Sequence, residues 1–386
     1  MRRGAALSAV TRWVDRCGVQ VRRGALAGAF NAWYDLEARR FAYVYPEITG
    51  YGITTLLYLD SLTSRHRRLA RARQAGDWVL DRALHPDGGI RPRDYFERQE
   101  RSPLFAFERH LSVSFDSGMV LFGLTNLFAA TRDVRYRRGA LKVGSFLTDQ
   151  VQKKDGWFHA CLVPVWRGWE ERLDKWSAQS GPFHAKLAMG LIQLSRVTGE
   201  ARFARAGAKA CERSLKAQRP NGRFVCYRAD GSTHMHPHMY AAEGLLWAGL
   251  ELGRAAFVRS AARAAAWALS VQEPDGGMPC RAGERPGQFN RNQRSDILAQ
   301  VLRLATVCQA LGALPRAAAG AMDRLERRLL SFQNVVGPQA GGFRYGAEMN
   351  GESRNHVNFW CSAFALQALA MRREATGRVP SMGFFI

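Results

Sequence analysis

Lysine is scarce in this 386-residue chain: only seven of its 56 basic residues are Lys, and the rest are Arg. Acidic residues number 33, which leaves a formal net charge of +23. The basic residues are spread along the chain, and an Arg-dominated surplus is what a GC-rich genome produces. Nucleic acid is therefore not expected as a partner, and an anionic polysaccharide suits the charge better. No stretch approaches the roughly 18 consecutive apolar residues of a membrane span, so none is expected. The N-terminus, MRRGAALSAVTRWVDRCG, meets Arg12 and Asp15 before an apolar signal-peptide core can form. A cytoplasmic location is the expectation. The seven Cys include no CxxC pair, which removes the common zinc and redox motifs. No metal or other cofactor is expected. Cys226 and Cys280 each stand four residues after a glycine, Gly222 and Gly276, and are read as reduced thiols.

The hydrophobic share is 47%, enough for a large core. Length alone suggests two or three domains, but an internal repeat runs throughout and leaves no linker. Six segments share a polar or acidic start, small residues and an apolar run at helical spacing. They begin PEITGYG at Pro46, FDSGMV at Phe115, PFHAKL at Pro182, HMYAAEG at His238, RSDILA at Arg294 and NHVNFW at Asn355. Their anchors, Glu47, Asp116, His184, Tyr240, Asp296 and Asn358, recur at intervals of 56 to 69 residues. Such a period marks a repeat architecture.

Between these segments lie Arg-rich and Ala-rich helices whose apolar residues recur at i, i+3, i+4 and i+7. They suit an outer layer, and the nearly all-apolar segments suit an inner one. A further outer helix is expected in the N-terminal segment RRGALAGAFNAWYDLEARRF. Five outer helices run into matching turns: HPDGGI, QKKDGWF, QRPNGRF, QEPDGGM and QNVVGPQAGGF. Gly stops the helix and admits the positive φ of a tight turn. A short strand is expected after each. The reading is all-α: an (α/α)6 toroid of six helical hairpins forming one domain over 1–386, with short strands and long loops at one end.

Inner-to-outer connections are short and outer-to-inner ones long, so the long loops share the face where the inner helices begin. Six helix N-termini point to that mouth and favour an anionic group there. Candidate catalytic residues at this rim are Glu47, Asp116, His236, His238, Tyr240 and Asp296. Candidate substrate-binding residues are Tyr45, Tyr51, His184, Lys186, Glu243, Arg291, Arg294, His356, Asn358 and Trp360. The acids also fit helix N-caps, and His184 also fits a satisfied core histidine. Four Trp between Trp157 and Trp176, with Trp166 and Trp169 between them, suit either loop packing or stacking on sugar rings.

The hairpins with DGG-type turns resemble the (α/α) toroid superfamilies. These are the six-hairpin glycosidases, the toroid polysaccharide lyases, the N-acylglucosamine 2-epimerase group, and the terpene cyclase and prenyltransferase toroids. The Q-x-x-D-G-G turns look like terpene cyclase repeats, although the DxDD motif of those cyclases is absent. His238-Met239-Tyr240-Ala241-Ala242-Glu243 is similar to an inner-helix segment of the sugar 2-epimerase group. The resemblance implies chemistry on sugars. A lyase or epimerase would use His236, His238 or Tyr240 as base, with Lys186, Arg291 or Arg294 neutralising a carboxylate. A glycoside hydrolase would pair carboxylates from Glu47, Asp116 and Asp296. A non-catalytic sugar-binding toroid and an isoprenoid-handling toroid stay open beside these. The first reading leads, and under it His238→Ala is expected to abolish turnover without unfolding the chain.

Overall fold

Six times along the chain, a helix with one apolar stripe ends in a glycine turn, and a helix without a polar face follows. The computed structural model describes residues 3–63, 66–93, 111–163, 168–170, 173, 175–375 and 378–386. The outer helices are α1 (Arg3–Arg16), α3 (Leu69–Trp78), α5 (Val134–Ser145), α7 (Ala201–Lys216), α9 (Ala255–Ser270) and α11 (Ala318–Leu330). The inner helices are α2 (Pro46–Ser61), α4 (Ser114–Thr131), α6 (Leu187–Thr198), α8 (Met235–Glu251), α10 (Ser295–Ala310) and α12 (Phe359–Glu374). This is the (α/α)6 toroid. Along α4 every residue from Ser114 to Phe128 is buried, as a helix enclosed on all sides requires. Glycine lets the inner backbones approach: a methyl on Gly50 would press on Met119 and Val120 of α4, and one on Gly123 on Gly50 of α2.

One interaction recurs around the outer ring, beside ion pairs such as Arg71 to Asp15 and Arg3 to Glu326. Gln218 sends its amide N–H to the oxygen of Gly222 within its own turn and to that of Ser260 in the next outer helix, both at 2.9 Å. Gln20, Gln152, Gln272 and Gln333 do the same toward Arg71, Ala206, Ala321 and Ala6. The Gln333 bond reaches α1 and so closes the ring. The turn glycines rest on the same neighbours: a methyl on Gly28, Gly88, Gly156, Gly222, Gly276 or Gly341 would collide with the main chain of the next outer helix.

Two expectations need correction. The first outer helix is Arg3–Arg16, not RRGALAGAFNAWYDLEARRF. That stretch holds the turn at Gly28 and strands β1 (Trp33–Asp35) and β2 (Arg40–Phe41). Gln20 to Phe30 has the same length and plan as Gln333 to Phe343, with an insertion before the glycine. Its Ala-rich middle imitates a helix. Second, four turns close with a single antiparallel bridge, such as Gln218 to Phe224, and no strand begins at the bridge; the Gln333 turn alone among the bridged turns runs straight into a strand, as expected. Strands come later in the loops, in three small sheets. β1 pairs with β2 and with β10 (Ser353–Asn358), which pairs with β9 (Phe343–Ala347). β3 (Ser112–Val113) pairs with β4 (Cys161–Val163), and β4 with β5 (Gly168–Glu170). β6 (Thr233–His234), β7 (Arg281–Ala282) and β8 (Phe289–Asn290) form the third. β3, β6 and β10 lead directly into α4, α8 and α12, and so fix where those helices begin.

The far end of the ring is filled by the segment 378–386. Phe385 and Ile386 are buried, and Gln367 of α12 holds the main chain at Phe384 and Ile386. Trp247 of α8 donates to the main-chain oxygen of Met382 at 3.0 Å. Among the described residues no helix is long and apolar enough to cross a membrane. All seven cysteines carry free thiols.

The turn geometry makes a paired prediction. Gly222→Ala combines a φ of 96° with a collision on the main chain of Arg263, and is expected to cost about 3 kcal/mol in urea unfolding. Gly253 has a φ of 63° but open space around it, so Gly253→Ala is expected to cost about 1 kcal/mol.

Candidate active site

The first turn of an inner helix faces the mouth of the ring, so a polar residue there points into a shared pit. Glu47, Asp116 and Asp296 occupy that turn in α2, α4 and α10. The Tyr45 hydroxyl, preceding α2, donates to Asp116 Oδ1 at 3.3 Å. The Tyr45 and Tyr51 hydroxyls stand near enough to Glu47 to act on its carboxyl. Tyr51 lies one turn into α2, and its hydroxyl donates to that of Tyr240 on α8 at 3.0 Å. The Tyr240 ring meets the His236 ring at 4.4 Å between centroids. His236 Nδ1 lies 2.7 Å from Gln300 Oε1 and 3.5 Å from Asp296 Oδ2. One chain of contacts therefore joins Asp116, Tyr45, Glu47, Tyr51, Tyr240, His236 and Asp296.

The protonation states within this chain diverge. Burial pushes the Glu47 carboxyl up to about 7, against the nearby Tyr45 and Tyr51 hydroxyls and the positive fields of Arg93 and Lys175. Burial would also raise Asp296, but Arg294, His236 and Trp360 outweigh it and hold that carboxyl well below the usual range. Arg294 forms a double hydrogen bond to Asp296, and Trp360 Nε1 adds a third at 3.2 Å. Burial lowers His236 to about 4 despite Asp296 nearby. Gln300 Oε1 is an acceptor, so Nδ1 of the neutral ring carries the proton and Nε2 keeps its lone pair. Near pH 7 the pit thus holds a half-protonated carboxyl, a fixed carboxylate and a bare imidazole nitrogen.

Aromatic rings wall the mouth. Trp176 lies edge-on to His236, Phe115 and Phe183. His356 is stacked between Trp33 at 5.0 Å and Tyr345 at 5.3 Å, and Trp360 meets both of those rings edge-on. Asn358 ends β10 below them, fully buried and hydrogen-bonded to His356. Trp33, Trp176 and Trp360 remain partly exposed. Trp157 instead packs under Arg213, 3.8 Å away, and bonds Ser214. Trp166 and the side chain of Trp169 lie outside the described residues.

Lys186 and Glu243 sit deeper, paired at 2.8 Å and fully buried. Arg303 of α10 adds a second cation to Glu243 at 2.6 Å. The other Lys186 bond goes to the main-chain oxygen of Ile386 at 2.7 Å. Both Lys186 and Arg294 are thus committed to carboxylates of the protein, which removes them as partners for a substrate carboxylate. Arg291 is removed as well: it lies outside the pit with 62% of its side chain exposed, paired to Glu273. Arg93 and Lys175 are the cations whose fields reach Glu47. They stand in loops without periodicity, so no spacing pointed to them.

The histidines divide, contrary to expectation. In a helix His236, Tyr240 and Glu243 share a face, because i, i+4 and i+7 are aligned, and His238 falls opposite. His238 Nδ1 accepts the Phe224 N–H at 3.2 Å, and Nε2 lies 3.3 Å from the oxygen of Ala264 in the outer layer. Its ring packs on Trp267 of α9. His184 does the same one repeat earlier, accepting the Phe158 N–H at 3.3 Å. Thr49, Ser117 and Ser362 take the corresponding N–H in other repeats. His184 and His238 are therefore turn-holding residues. His234 caps α8 and lies against Arg294 at 3.2 Å. The three histidines of THMHPHMY point three ways. Among the described residues no group of three His, Cys, Asp or Glu could hold a metal ion.

The fold, compared with solved structures, is similar to sugar-active enzymes. Cellobiose 2-epimerase from Bacillus thermoamylovorans matches with a TM-score of 0.76 at 9% identity, over 96% of this chain and 100% of that one. D-mannose isomerase matches with 0.74 at 9% identity, over 96% and 97%. Unsaturated glucuronyl hydrolase specific for heparin matches with 0.70 at 12% identity, over 98% of each chain. No family model matches the chain, and no curated protein does. These likenesses establish the toroid.

Two outcomes follow from the geometry. His238→Ala is now expected to cost about 2–4 kcal/mol in thermal or urea unfolding, through a lost buried hydrogen bond and a cavity. Glu47 makes stability depend on pH. Its folded value of about 7 lies above its ordinary 4.5, so its contribution is fully present below about 4.5 and is lost as pH rises through 7. Glu47→Gln should match the parent at low pH and exceed it by about 3 kcal/mol above pH 8. A pH-independent difference in urea midpoints would contradict this.

Proposed function

We propose that the chain works as one toroid domain with one funnel, and that it is a carbohydrate-active enzyme moving a proton on a sugar bound there, as a lyase or epimerase does. The observation that carries this is the juxtaposition of Glu47 and His236. One is a carboxyl poised to give or take a proton near neutrality, and the other is an imidazole with a free Nε2 lone pair. The hydrogen-bonded Tyr51–Tyr240 pair lies between them. Epimerisation needs one group to remove a carbon-bound proton and a second to return one. A lyase needs the same base, with the second group protonating the departing oxygen. Asp296 stabilises the imidazolium that forms on His236. Arg93 and Lys175 supply the positive field that an enolate or carboxylate requires. The partly exposed Trp33, Trp176 and Trp360 offer flat apolar faces to a sugar ring. The likeness in fold to an epimerase, an isomerase and a glucuronyl hydrolase supports a sugar substrate.

One observation favours a second reading. Tyr45 donates to Asp116 and lies beside Glu47, so two carboxyl groups flank one hydroxyl, as in a glycoside hydrolase that pairs an acid with a base.

Incubation with reducing disaccharides and with uronate polymers in deuterated water separates the two. Carbon-bound deuterium in the product, or absorbance from an unsaturated uronate, is expected. New reducing ends with neither would replace the first reading by hydrolysis. Glu47→Gln and His236→Ala should each lower kcat by about 100-fold or more, while Asp116→Asn should matter less. A larger loss from Asp116→Asn than from His236→Ala would reverse the assignment.

A further inference from the structure

Every lysine of the chain falls between Lys142 and Lys216, although arginine is spread from end to end. A base-composition bias toward Arg does not produce such an interval. In the fold the interval covers two neighbouring outer helices, α5 and α7, and the rim beside them. Lys142 and Lys209 hold equivalent places, since Gly88 and Gly156 rest on their main chains. Both side chains are exposed, as are those of Lys154, Lys175 and Lys216. Lys153 crosses the rim and donates to Ser180 at 3.3 Å. The main-chain oxygen of Lys175 accepts from Gln179 beside that serine, and the charge of Lys175 reaches Glu47 in the pit. Ammonium groups thus run from the outer wall, over the turn, to the mouth.

The carboxylates of this flank are already engaged by arginine. Asp149 meets Arg202 at 3.0 Å, Asp155 meets Arg213 at 3.2 Å, and Glu212 faces Arg254 at 3.9 Å. Among the described residues Lys186 is the one lysine with an ion-pair partner. The surface ammoniums are therefore surplus charge. A compact, mobile ammonium suits a flexible polyanion that has no fixed fork to match.

We propose that this lysine track is an exosite for an anionic polysaccharide, holding the part of the polymer that extends out of the funnel. The proposal rests on the sugar reading above and narrows the substrate to a chain of uronate-type sugars longer than the pit can hold. Three carboxyl groups in the pit suit a polymer with hydroxyls between its charges, and oppose a phosphodiester charged at every unit.

The test uses the full chain with Lys153, Lys154 and Lys209 changed to Gln. A matched variant changes Arg259, Arg316 and Arg327 to Gln, exposed residues on the α9 and α11 flank. Binding of long polyglucuronate, a glucuronate disaccharide and a single-stranded oligonucleotide is followed across a salt series. The lysine variant should bind the polymer about tenfold more weakly and the disaccharide as before, and the arginine variant should keep the parental polymer affinity. Equal losses in both variants would reduce the effect to net charge and overturn the exosite. So would an oligonucleotide bound as tightly as the polymer. A parent chain that binds the disaccharide, with a polymer affinity indifferent to the lysines, overturns the exosite alone. A parent chain that binds neither saccharide overturns the sugar reading as well.

Discussion

At five of the six junctions of the outer ring, one glutamine amide ties an outer helix to the next. The turn glutamine satisfies a carbonyl in its own turn and one in the neighbouring outer helix, and the turn glycine leaves room for that approach. Outer helices share few apolar contacts with one another, because their apolar stripes face inward. The Gln and Gly pair therefore sets the lateral spacing of the outer ring, and that spacing sets how far apart the inner helices start. Closure from Gln333 to Ala6 makes the arrangement a ring. Glu47, Asp116 and Asp296 converge as a consequence, since each occupies the same turn of a symmetry-related helix.

Convergence then does the electrostatic work. Similar carboxyl groups at repeat-related places acquire different chemistry from their immediate neighbours. Asp296 has Arg294 two residues earlier and stays ionised. Glu47 has the Tyr45 and Tyr51 hydroxyls beside it and feels its cations, Arg93 and Lys175, through their fields, and burial holds its proton to higher pH. The repeat supplies position, and departures from the repeat supply function.

The same division explains what could be read from the chain beforehand. Helix layers and turns were legible because apolar periodicity and Gln-x-x-Asp-Gly are local signals. The three acids were legible because they open inner helices. His238 was misjudged because a helix start at Met235 turns alternate residues away from one another, so Tyr240 and His236 face the pit together without it. Arg291 and Arg294 look alike in a basic run, yet one leaves toward Glu273 and the other turns in toward Asp296. Arg93 and Lys175 carry no periodic mark. The Lys186 contact with Ile386 spans 200 positions, beyond any local pattern.

The burial of that last contact bears on how the molecule can be handled. Ile386 lies 1% exposed, with its main chain bonded to Gln367 and Lys186. Removing Ile386 would strip the buried Lys186 and Gln367 of a main-chain partner. Labels belong on the exposed faces of α9 and α11, away from the lysine track.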